Sequence, residues 1–248
     1  MTSVARSRDA AGTPLNQSVE RAVRMLGFFT PEEPELTLTE LTVRLGTSKA
    51  TTHRYAVALR RAGLLRHDAA RGVYTLGARV VELAASALAG LRIIKVAGPH
   101  MERLVQRINE TVVLSIWDGE APVVVRVEDN IDRIVRIVVR TGSRLPIDSA
   151  QGKVNVAFNP EIEDHGLERG ELERVRSTRI AVNSRVVEGI RAIATPVFQD
   201  TTLAAAMAVV GTTVAVPEAE DSLLARRLIE GAEALSAELG FLRTERSV

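Results

Sequence analysis

Residues 37–61 read TLTELTVRLGTSKATTHRYAVALRR, and the folding of the N-terminal region can be predicted from this segment. Thr37 and Glu40 have the spacing of a capping box, in which each side chain bonds the other residue's backbone amide where a helix begins. The helix that begins there runs to Leu45. Gly46 ends it, because glycine adopts a left-handed backbone conformation that other residues resist. The stretch therefore opens with one short, capped helix.

A second helix follows after the glycine. Thr47 or Ser48 supplies its cap, and the helix runs to about Ala62. Apolar spacing over 18–29, with Ser18 as the cap, adds a further helix before the motif. Two short helices joined by a tight glycine turn are typical of a helix-turn-helix, whose second helix enters the major groove of DNA. The spacing turns four residues of that second helix inward: Thr52, Tyr55, Ala56 and Leu59.

The outward face of this second helix carries the residues that we expect to contact DNA. The hydroxyl groups and backbone amides at its N-terminus suit phosphate oxygens. Arg54 is the candidate for reading guanine, because its planar guanidinium matches the O6 and N7 acceptors of that base. The predicted contacts of the helix are Ser48, Lys49, Ala50, Thr51, His53, Arg54 and Arg61.

A hairpin is predicted directly after these helices. Residues 64–67 and 73–76 flank a turn that contains Gly72, and a two-stranded wing in this place makes the region a winged helix. Arg66 and Arg71 then lie beside the DNA backbone or the minor groove, or else the hairpin only covers the three-helix core. We expect it to do both, with Arg71 at the tip as the stronger contact.

Basic residues are concentrated around the predicted motif. The chain of 248 residues has 32 Lys+Arg and 31 Asp+Glu, which gives a formal net charge of +1. Residues 41–67 contain no acidic residue. Such a local cationic segment indicates either a polyphosphate partner or a solvated, arginine-rich helix face. Its basic residues are Arg44, Lys49, Arg54, Arg60, Arg61 and Arg66.

Composition and motifs exclude most other kinds of chemistry. The chain has no cysteine, which excludes disulfides, thiolate metal sites and cysteine nucleophiles and makes a reducing cytoplasm the expected compartment. Its four histidines lack metal-ligand spacing, and Gly152-Lys153 lacks the first glycine and the Ser or Thr of a P-loop. No apolar stretch is long enough to cross a bilayer. We therefore expect no enzyme activity, cofactor, metal or membrane partner.

The second part of the chain predicts a separate α+β domain. Residues 78–91 form an apolar, alanine-rich helix, which packs either on a partner helix in a dimer or on the chain's own domain. A helix after Pro99 is followed by two hairpins, a strand over 133–140 and a closing helix over 218–239. This order predicts an antiparallel sheet that is covered by helices on one side.

Short motifs occur in a fixed order along the chain. The first four are SVERAV at 18–23, SKATTHR at 48–54, GLL at 63–65 and YTLG at 74–77. The later ones are ETVVL at 110–114, RTGSRLP at 140–146, GK at 152–153, GIRAIATPV at 189–197 and AAMAVVG at 205–211. In this order and spacing they resemble the isocitrate-lyase-regulator (IclR) family of bacterial transcription factors, and the resemblance covers nearly the whole chain.

The resemblance implies four parts. They are a disordered tail over 1–15, a winged helix-turn-helix DNA-binding domain over 16–77, a linker and dimerisation helix over 78–92, and a GAF-like effector-binding domain over 93–248. In the last part it implies a ligand pocket between the sheet and the central motif. The residues of that pocket in this chain are Ala150, Gln151, Gly152, Asn183, Ala192, Ala208 and Val210.

The implied pocket departs from the family pattern. Family members often carry polar side chains where this chain has Ala192, Ala208 and Val210. Their loss indicates a more apolar ligand, a different pose or a silent pocket. Arg140 and Arg144 either attract an acidic effector or belong to a solvated strand end.

The sequence therefore predicts a ligand-responsive bacterial transcriptional regulator. It binds a palindromic or repeated operator in double-stranded DNA as a homodimer or a dimer of dimers, because one winged helix reads too few base pairs for specificity. We expect its effector to be a small organic metabolite, either a carboxylate or an aromatic acid. The alternative is a small-molecule-binding or processing protein whose winged helix no longer functions.

Overall fold

The computed structural model of the chain describes residues 16–130, 137–183 and 188–241. These residues belong to two compact units, Met1–Ser86 and Ala87–Val248. The first unit is mainly helical with a small sheet, and the second has a five-stranded sheet between helices. The predicted architecture, an N-terminal helix-turn-helix followed by an antiparallel-sheet domain of the α+β class, is confirmed.

Two predicted segments lie wholly or partly outside the described residues. The tail predicted over 1–15 lies outside them entirely. The strand predicted over 133–140 is described only for residues 137–140, and these four residues form no strand. Across the described ranges, no helix has the length and apolar character that a membrane span requires.

Three helices form the body of the N-terminal unit: α1 (Gln17–Leu26), α2 (Leu38–Leu45) and α3 (Lys49–Arg61). The cap predicted for the first of them is wrong. The side chain of Asn16 caps α1 by accepting a hydrogen bond of 3.2 Å from the backbone amide of Ser18, which therefore lies inside the helix. Asparagine and serine are about equally good caps, so local sequence did not distinguish them.

The helix-turn-helix is built as its sequence predicts. At the start of α2, the Glu40 amide donates to the Thr37 hydroxyl at 3.3 Å, and the Thr37 amide donates to the Glu40 carboxylate at 2.7 Å. The Thr37 amide, followed by the Thr37 hydroxyl, donates to the Glu40 carboxylate and holds its pKa below the usual value. Gly46 has a φ of 66° and ends the helix in the left-handed conformation. Ser48 caps α3 by accepting a bond from the Thr51 amide.

The capping box makes a testable contribution to stability. Replacing Thr37 with alanine leaves the amide of Glu40 without its acceptor, so we expect the free energy of unfolding to fall by about 1 kcal/mol. Urea denaturation of the full chain, followed by far-UV circular dichroism, measures the change. Thr39→Ala is the matched control, because Thr39 is exposed in the same helix and caps nothing. Equal losses in both variants would contradict the assigned role of Thr37.

The wing of the N-terminal unit has three strands instead of the two predicted. β2 (Leu65–Asp68) and β3 (Val73–Leu76) form the expected antiparallel hairpin, with Gly72 in the left-handed region of its turn. β1 (Leu36–Thr37) pairs with β3 on the other side. A strand of two residues is too short to show a period of two, so no pattern in the sequence indicates it. The buried core of this unit is Met25, Phe29, Leu36, Leu41, Leu45, Ala56, Leu59, Leu65 and Tyr74.

The two helices that follow differ in burial. α4 (Ala78–Gly90) is apolar but has no buried residue, and its Val81 side chain is 70% exposed. α5 (Arg92–Ile108) begins before Pro99 instead of after it, so the predicted start was wrong. The turn before Pro99 buries Ile93 and Ala97 in the core, and this packing outweighs the backbone hydrogen bond that proline cannot make.

The strands of the second unit are β4 (Thr111–Trp117), β5 (Pro122–Glu128), β6 (Ala181–Asn183), β7 (Ile190–Gln199) and β8 (Thr202–Thr212). They form a sheet that is antiparallel throughout, in the order β5-β4-β8-β7-β6. Its longest pair, β7 with β8, is the second of the two predicted hairpins. The short strand β6 lies at one edge beside β7.

Helices cover both faces of this sheet, whereas one covered side was predicted. On one face, α5 and α8 (Leu223–Glu238) pack against alternate residues that include Leu114 and Met207. On the other face, α6 (Ala150–Phe158) and α7 (Arg169–Thr178) pack against Ala206 and Ala208. The continuous apolar run along β8 is typical of a strand that is buried on both faces.

Candidate nucleic-acid interface and ligand site

The outward face of α3 is accessible, as its sequence predicts. Lys49, Ala50, His53, Arg54 and Arg61 are exposed. The two other predicted contacts lie at the N-terminal end of α3. Of these, Ser48 is exposed and Thr51 is half-buried. The inward residues Thr52, Ala56 and Leu59 are buried. The predicted polar and basic face is therefore presented to solvent.

Hydrogen bonds fix the turn that precedes α3. The Ser48 hydroxyl accepts from the Thr51 amide at 3.2 Å and donates to the Thr51 hydroxyl at 3.0 Å. The hydroxyl of the buried Thr52 lies 2.9 Å from that of Thr47 and donates to the Ser48 carbonyl at 3.2 Å. This network holds the first turn of α3 in one conformation, so its amides and side chains need little reordering to meet a phosphate.

Most of the predicted cationic contacts have no carboxylate partner. Among the described residues, no ion pair involves Lys49, Arg54, Arg61 or Arg66, and the first turn of α3 contains no acidic residue. Their positive charge is therefore balanced by solvent ions, and release of counterions from bound DNA supplies a driving force for binding.

Two other arginines of the N-terminal unit are paired with glutamates. Arg44 makes a two-point contact with Glu33, at 2.9 and 2.8 Å, and its presence lowers the pKa of Glu33. Arg71, the predicted wing-tip contact, does the same with Glu35: Nη1 donates to Oε1 at 2.7 Å, and Nη2 contacts Oε2. Hydrogen bonding to Arg71 lowers the pKa of Glu35. Arg71 is exposed, but its guanidinium already has an anionic partner.

Tyr55 has a role that its apolar spacing did not reveal. It is half-buried on α3. The Ser18 side chain on α1, followed by Arg21, lowers the pKa of the Tyr55 hydroxyl against the opposing effect of burial. The Tyr55 hydroxyl is therefore influenced by polar side chains of α1.

The first turn of α6 carries three of the seven predicted pocket residues. Ser149 caps this helix by accepting a bond of 3.1 Å from the Gly152 amide. Ala150 and Gln151 are 0% and 3% exposed. A Cβ atom on residue 152 would lie 2.1 Å from the Ile147 carbonyl oxygen, so only glycine lets this turn pack against the preceding loop.

The other four predicted pocket residues lie side by side on the sheet. Asn183, Ala192 and Val210 are register partners across β6, β7 and β8. Ala208 is two residues from Val210 and therefore lies on the same face, which is the face that α6 covers. The structure brings all seven residues to one place, between the N-terminal part of α6 and the sheet.

An open cleft of about 1100 Å³ lies beside this place. Asn183 is the member of the predicted set that lines it. Its side chains carry six carboxylates and two cations, so the cleft itself does not favour an anion. The lining residues are Asp148, Lys153, Gly166, Leu167, Glu168, Glu171, Arg174, Val175, Thr178, Val182, Asn183, Glu218, Glu220 and Asp221.

Lys153 is a structural residue of this region that sequence reasoning missed. Its side chain is 11% exposed, and Nζ donates to Glu171 at 2.6 Å and to the Val182 carbonyl at 3.0 Å. Separately, the side-chain amide of Asn183 donates to the Asp148 carbonyl at 2.9 Å and joins β6 to the loop before α6. Lys153 thus connects α6, α7 and the edge strand. The GK motif at 152–153 contains this lysine, but neither the family resemblance nor the rejected P-loop predicted its ion pair.

Arg144 does not lie in the predicted pocket. Its guanidinium donates to Asp118 at 2.8 Å and to Glu120 at 3.0 Å, across the turn between β4 and β5. Partial burial acts to raise the pKa of Asp118. Hydrogen bonds from the backbone amides of Ala121 and Glu120, together with Arg144, outweigh burial, so the pKa of Asp118 is lowered. Arg144 therefore closes a surface turn.

The described part of the chain also holds no group of three or more His, Asp or Glu residues arranged for a metal.

Family models match both units of the chain. The model of the IclR helix-turn-helix domain matches residues 18–69. The model described as the bacterial transcriptional regulator IclR C-terminal domain matches residues 85–184. The first match contains α1 to β2, and the second contains α5 to β6 with the first turn of α6.

Curated relatives match over most of their own length. The chain is 29% identical to the transcriptional regulator XynR of Escherichia coli, over 92% of this chain and 99% of that protein. It is 32% identical to the transcriptional regulator KipR of Bacillus subtilis, over 71% of this chain and 70% of that protein.

Solved structures share the fold of the whole chain. An IclR-family regulator from Brucella abortus has a TM-score of 0.74 at 24% identity and covers 91% of this chain and 93% of its own. An IclR homologue from Microbacterium hydrocarbonoxydans, solved in complex with 4-hydroxybenzoate, has a TM-score of 0.71 at 23% identity, over 90% and 99% of the two chains.

Proposed function

The chain belongs to the IclR family of bacterial transcriptional regulators, and we propose that it is an operator-binding dimer whose DNA affinity responds to a small organic acid. The matched families and the relatives named above are regulators and not enzymes. A DNA-binding helix-turn-helix and a C-terminal ligand-binding domain come with the family. Beyond these family properties, we propose which residues contact DNA, which oligomer forms and which class of effector binds.

The exposed N-terminal part of α3 carries the proposal for DNA. Lys49, His53 and Arg54 face solvent there, and no carboxylate among the described residues pairs with Lys49 or Arg54. The first turn is capped, so its amides and the Ser48 hydroxyl are ready for phosphate. Arg54 reads a guanine in the major groove, whereas Arg61 and Arg66 neutralise phosphates.

A homodimer, alone or as part of a dimer of dimers, is supported by α4. This helix is apolar and has no buried residue, and Val81, Leu83 and Leu88 are exposed on it. A helix of this composition gains stability by packing its apolar residues against a partner helix. Pairing of two chains through α4 brings two winged helices to one operator, which supplies the number of base contacts that specificity requires.

The effector we propose is a carboxylate, with an aromatic acid as the leading class. Ser149 caps α6, and the N-terminus of a helix favours a negative charge. The alanines at 192 and 208 offer an apolar surface for a ring. The Microbacterium homologue binds 4-hydroxybenzoate, which combines both features. The acidic cleft next to Asn183 would repel such a ligand, so the acid belongs on the α6 side.

A two-stage binding experiment tests this function. Genomic fragments are selected with the full chain, and the bound operator is then titrated by fluorescence anisotropy at several salt concentrations. We expect operator affinity to fall steeply with salt, with a slope of about −0.9 for each phosphate neutralised. Adding 4-hydroxybenzoate or benzoate should shift the operator affinity, whereas benzylamine, which has the ring but the opposite charge, should not.

Two results would contradict the proposal at different levels. Selection of no fragment above background, with no salt-dependent binding to any duplex, would overturn operator binding. Operator binding that responds to benzylamine instead of the acids would leave DNA recognition intact. It would move the effector to the acidic cleft.

A further inference from the structure

The segment between α1 and α2 presents two glutamates to two arginines of the DNA-binding unit. Residues 31–35 read PEEPE. Glu33 holds Arg44 on α2, and Glu35 holds Arg71 at the wing tip, each through both oxygens of the carboxylate. This one short segment therefore pairs Arg44 and Arg71 with carboxylates, whereas Lys49, Arg54 and Arg61 on α3 have no carboxylate partner among the described residues.

The segment is short and locally ordered. The Glu33 amide donates to the Thr30 carbonyl at 3.1 Å and to the Thr30 hydroxyl at 3.1 Å, and the Thr30 amide donates back to the Glu33 carbonyl at 3.2 Å. Pro31 and Pro34 restrict the backbone further, since proline fixes φ. Because the segment is ordered, both carboxylates are held near their partner arginines. Each ion pair therefore costs less entropy than it would if the segment were flexible.

Carboxylate and phosphate are competing partners for the same fork. The guanidinium of arginine matches either group through two parallel N–H donors. In Arg71, Nη1 and Nη2 both contact Glu35, so a phosphate meets a pair with no net charge. Arg71 is still 59% exposed, which leaves it within reach of solvent ions once the carboxylate is removed.

We propose that Glu33 and Glu35 are built-in competitors of the DNA backbone, which mask Arg44 and Arg71 and thereby limit sequence-independent binding. This inference rests on the proposed operator binding, and it concerns how the chain limits binding to DNA of other sequences. Phosphate contacts supply nearly all non-specific affinity, whereas base contacts supply specificity. Pairing Arg44 and Arg71 with carboxylates while the cations of α3 stay open raises the share of binding that depends on sequence.

Glu35→Gln tests the proposal on a random-sequence DNA duplex, where only backbone contacts contribute. Glutamine keeps the size of the side chain and removes its charge, so Arg71 becomes available to phosphate. We expect the full-length variant to bind this duplex about fivefold to tenfold more tightly at ~0.1 M salt, with a salt slope steeper by about 0.9 for each wing engaged. Fluorescence anisotropy across a salt series measures both quantities.

Two controls separate masking from a simple change in net charge. Glu20→Gln adds the same charge to the same unit, but Glu20 is exposed on α1 and pairs with no arginine in the described residues. It should leave the slope unchanged. The gain from Glu35→Gln should vanish when Arg71 is also replaced by alanine. Glu33→Gln repeats the test through Arg44, in case loss of the wing contact disturbs folding.

The outcomes are distinct. If Glu35→Gln and Glu33→Gln bind random DNA no better than Glu20→Gln, or if the gain survives in the Arg71→Ala background, masking is overturned while operator binding stands. If the unaltered chain binds no DNA, the proposed function fails and the inference fails with it.

Discussion

Replacing Arg54 with alanine weakens binding to the operator by about 1–3 kcal/mol, or roughly 5-fold to 150-fold, and leaves binding to random DNA nearly unchanged. The reason is geometric. Arg54 is exposed near the N-terminal end of α3, and no carboxylate among the described residues occupies its guanidinium. An unpaired guanidinium in this position can donate to both O6 and N7 of one guanine. Only a duplex with guanine at that position offers this contact.

Anisotropy titrations on the selected operator and on a random duplex measure the two affinities side by side. Arg103→Ala is the matched control, because Arg103 is an exposed arginine on α5 in the other unit and its loss changes the net charge equally. We expect Arg103→Ala to alter neither affinity by more than about twofold. An equal loss on both duplexes for Arg54→Ala would assign this residue to the phosphate backbone instead of to a base.

The helix-turn-helix was predictable because its signals are local. A capping box, a left-handed glycine and an apolar spacing each act within a few residues, and Thr37, Gly46 and the inward residues of α3 behave as those rules require. The same holds for the wing hairpin, whose turn needs Gly72. Each of these features depends on the backbone of one short segment.

Two of the errors arose where tertiary packing decides the structure. Pro99 ordinarily marks the start of a helix, yet α5 runs through it because Ile93 and Ala97 are buried in the core. The second covered face of the sheet is lined by alanines such as Ala206 and Ala208, whose small side chains give little amphipathic contrast. Neither outcome follows from a window of neighbouring residues.

The pocket residues were predicted from the family resemblance and not from local signals. They come from α6 and three strands, and the structure places them close together, whereas their binding of an effector stays a prediction. The contacts of Arg71 with Glu35, of Lys153 with Glu171 and of Arg144 with Asp118 join residues 36, 18 and 26 positions apart. Opposite charges are too common in any sequence for such pairs to be identified without the fold.

The second large effect concerns α4. Replacing both Val81 and Leu88 with glutamate should convert the dimer to a monomer and lower operator affinity by about 10³-fold, toward the level of non-specific binding. The two residues are seven positions apart, so they lie on one face of the helix, and both are exposed. Glutamate is a good helix former, so α4 itself should persist while its apolar face is lost. Sedimentation equilibrium measures the oligomer, and anisotropy measures the affinity.

A control with the same chemistry shows whether the loss belongs to α4. Val214 and Leu223 are also exposed apolar residues, 94% and 63%, but they lie before and at the start of α8. Their double replacement with glutamate adds the same charge and should leave the dimer and the operator affinity intact. Dimers that survive the change in α4 would require another interface. A chain that becomes monomeric yet binds its operator at full affinity would show that one winged helix suffices. That result would contradict the argument that one winged helix contacts too few base pairs for specific binding.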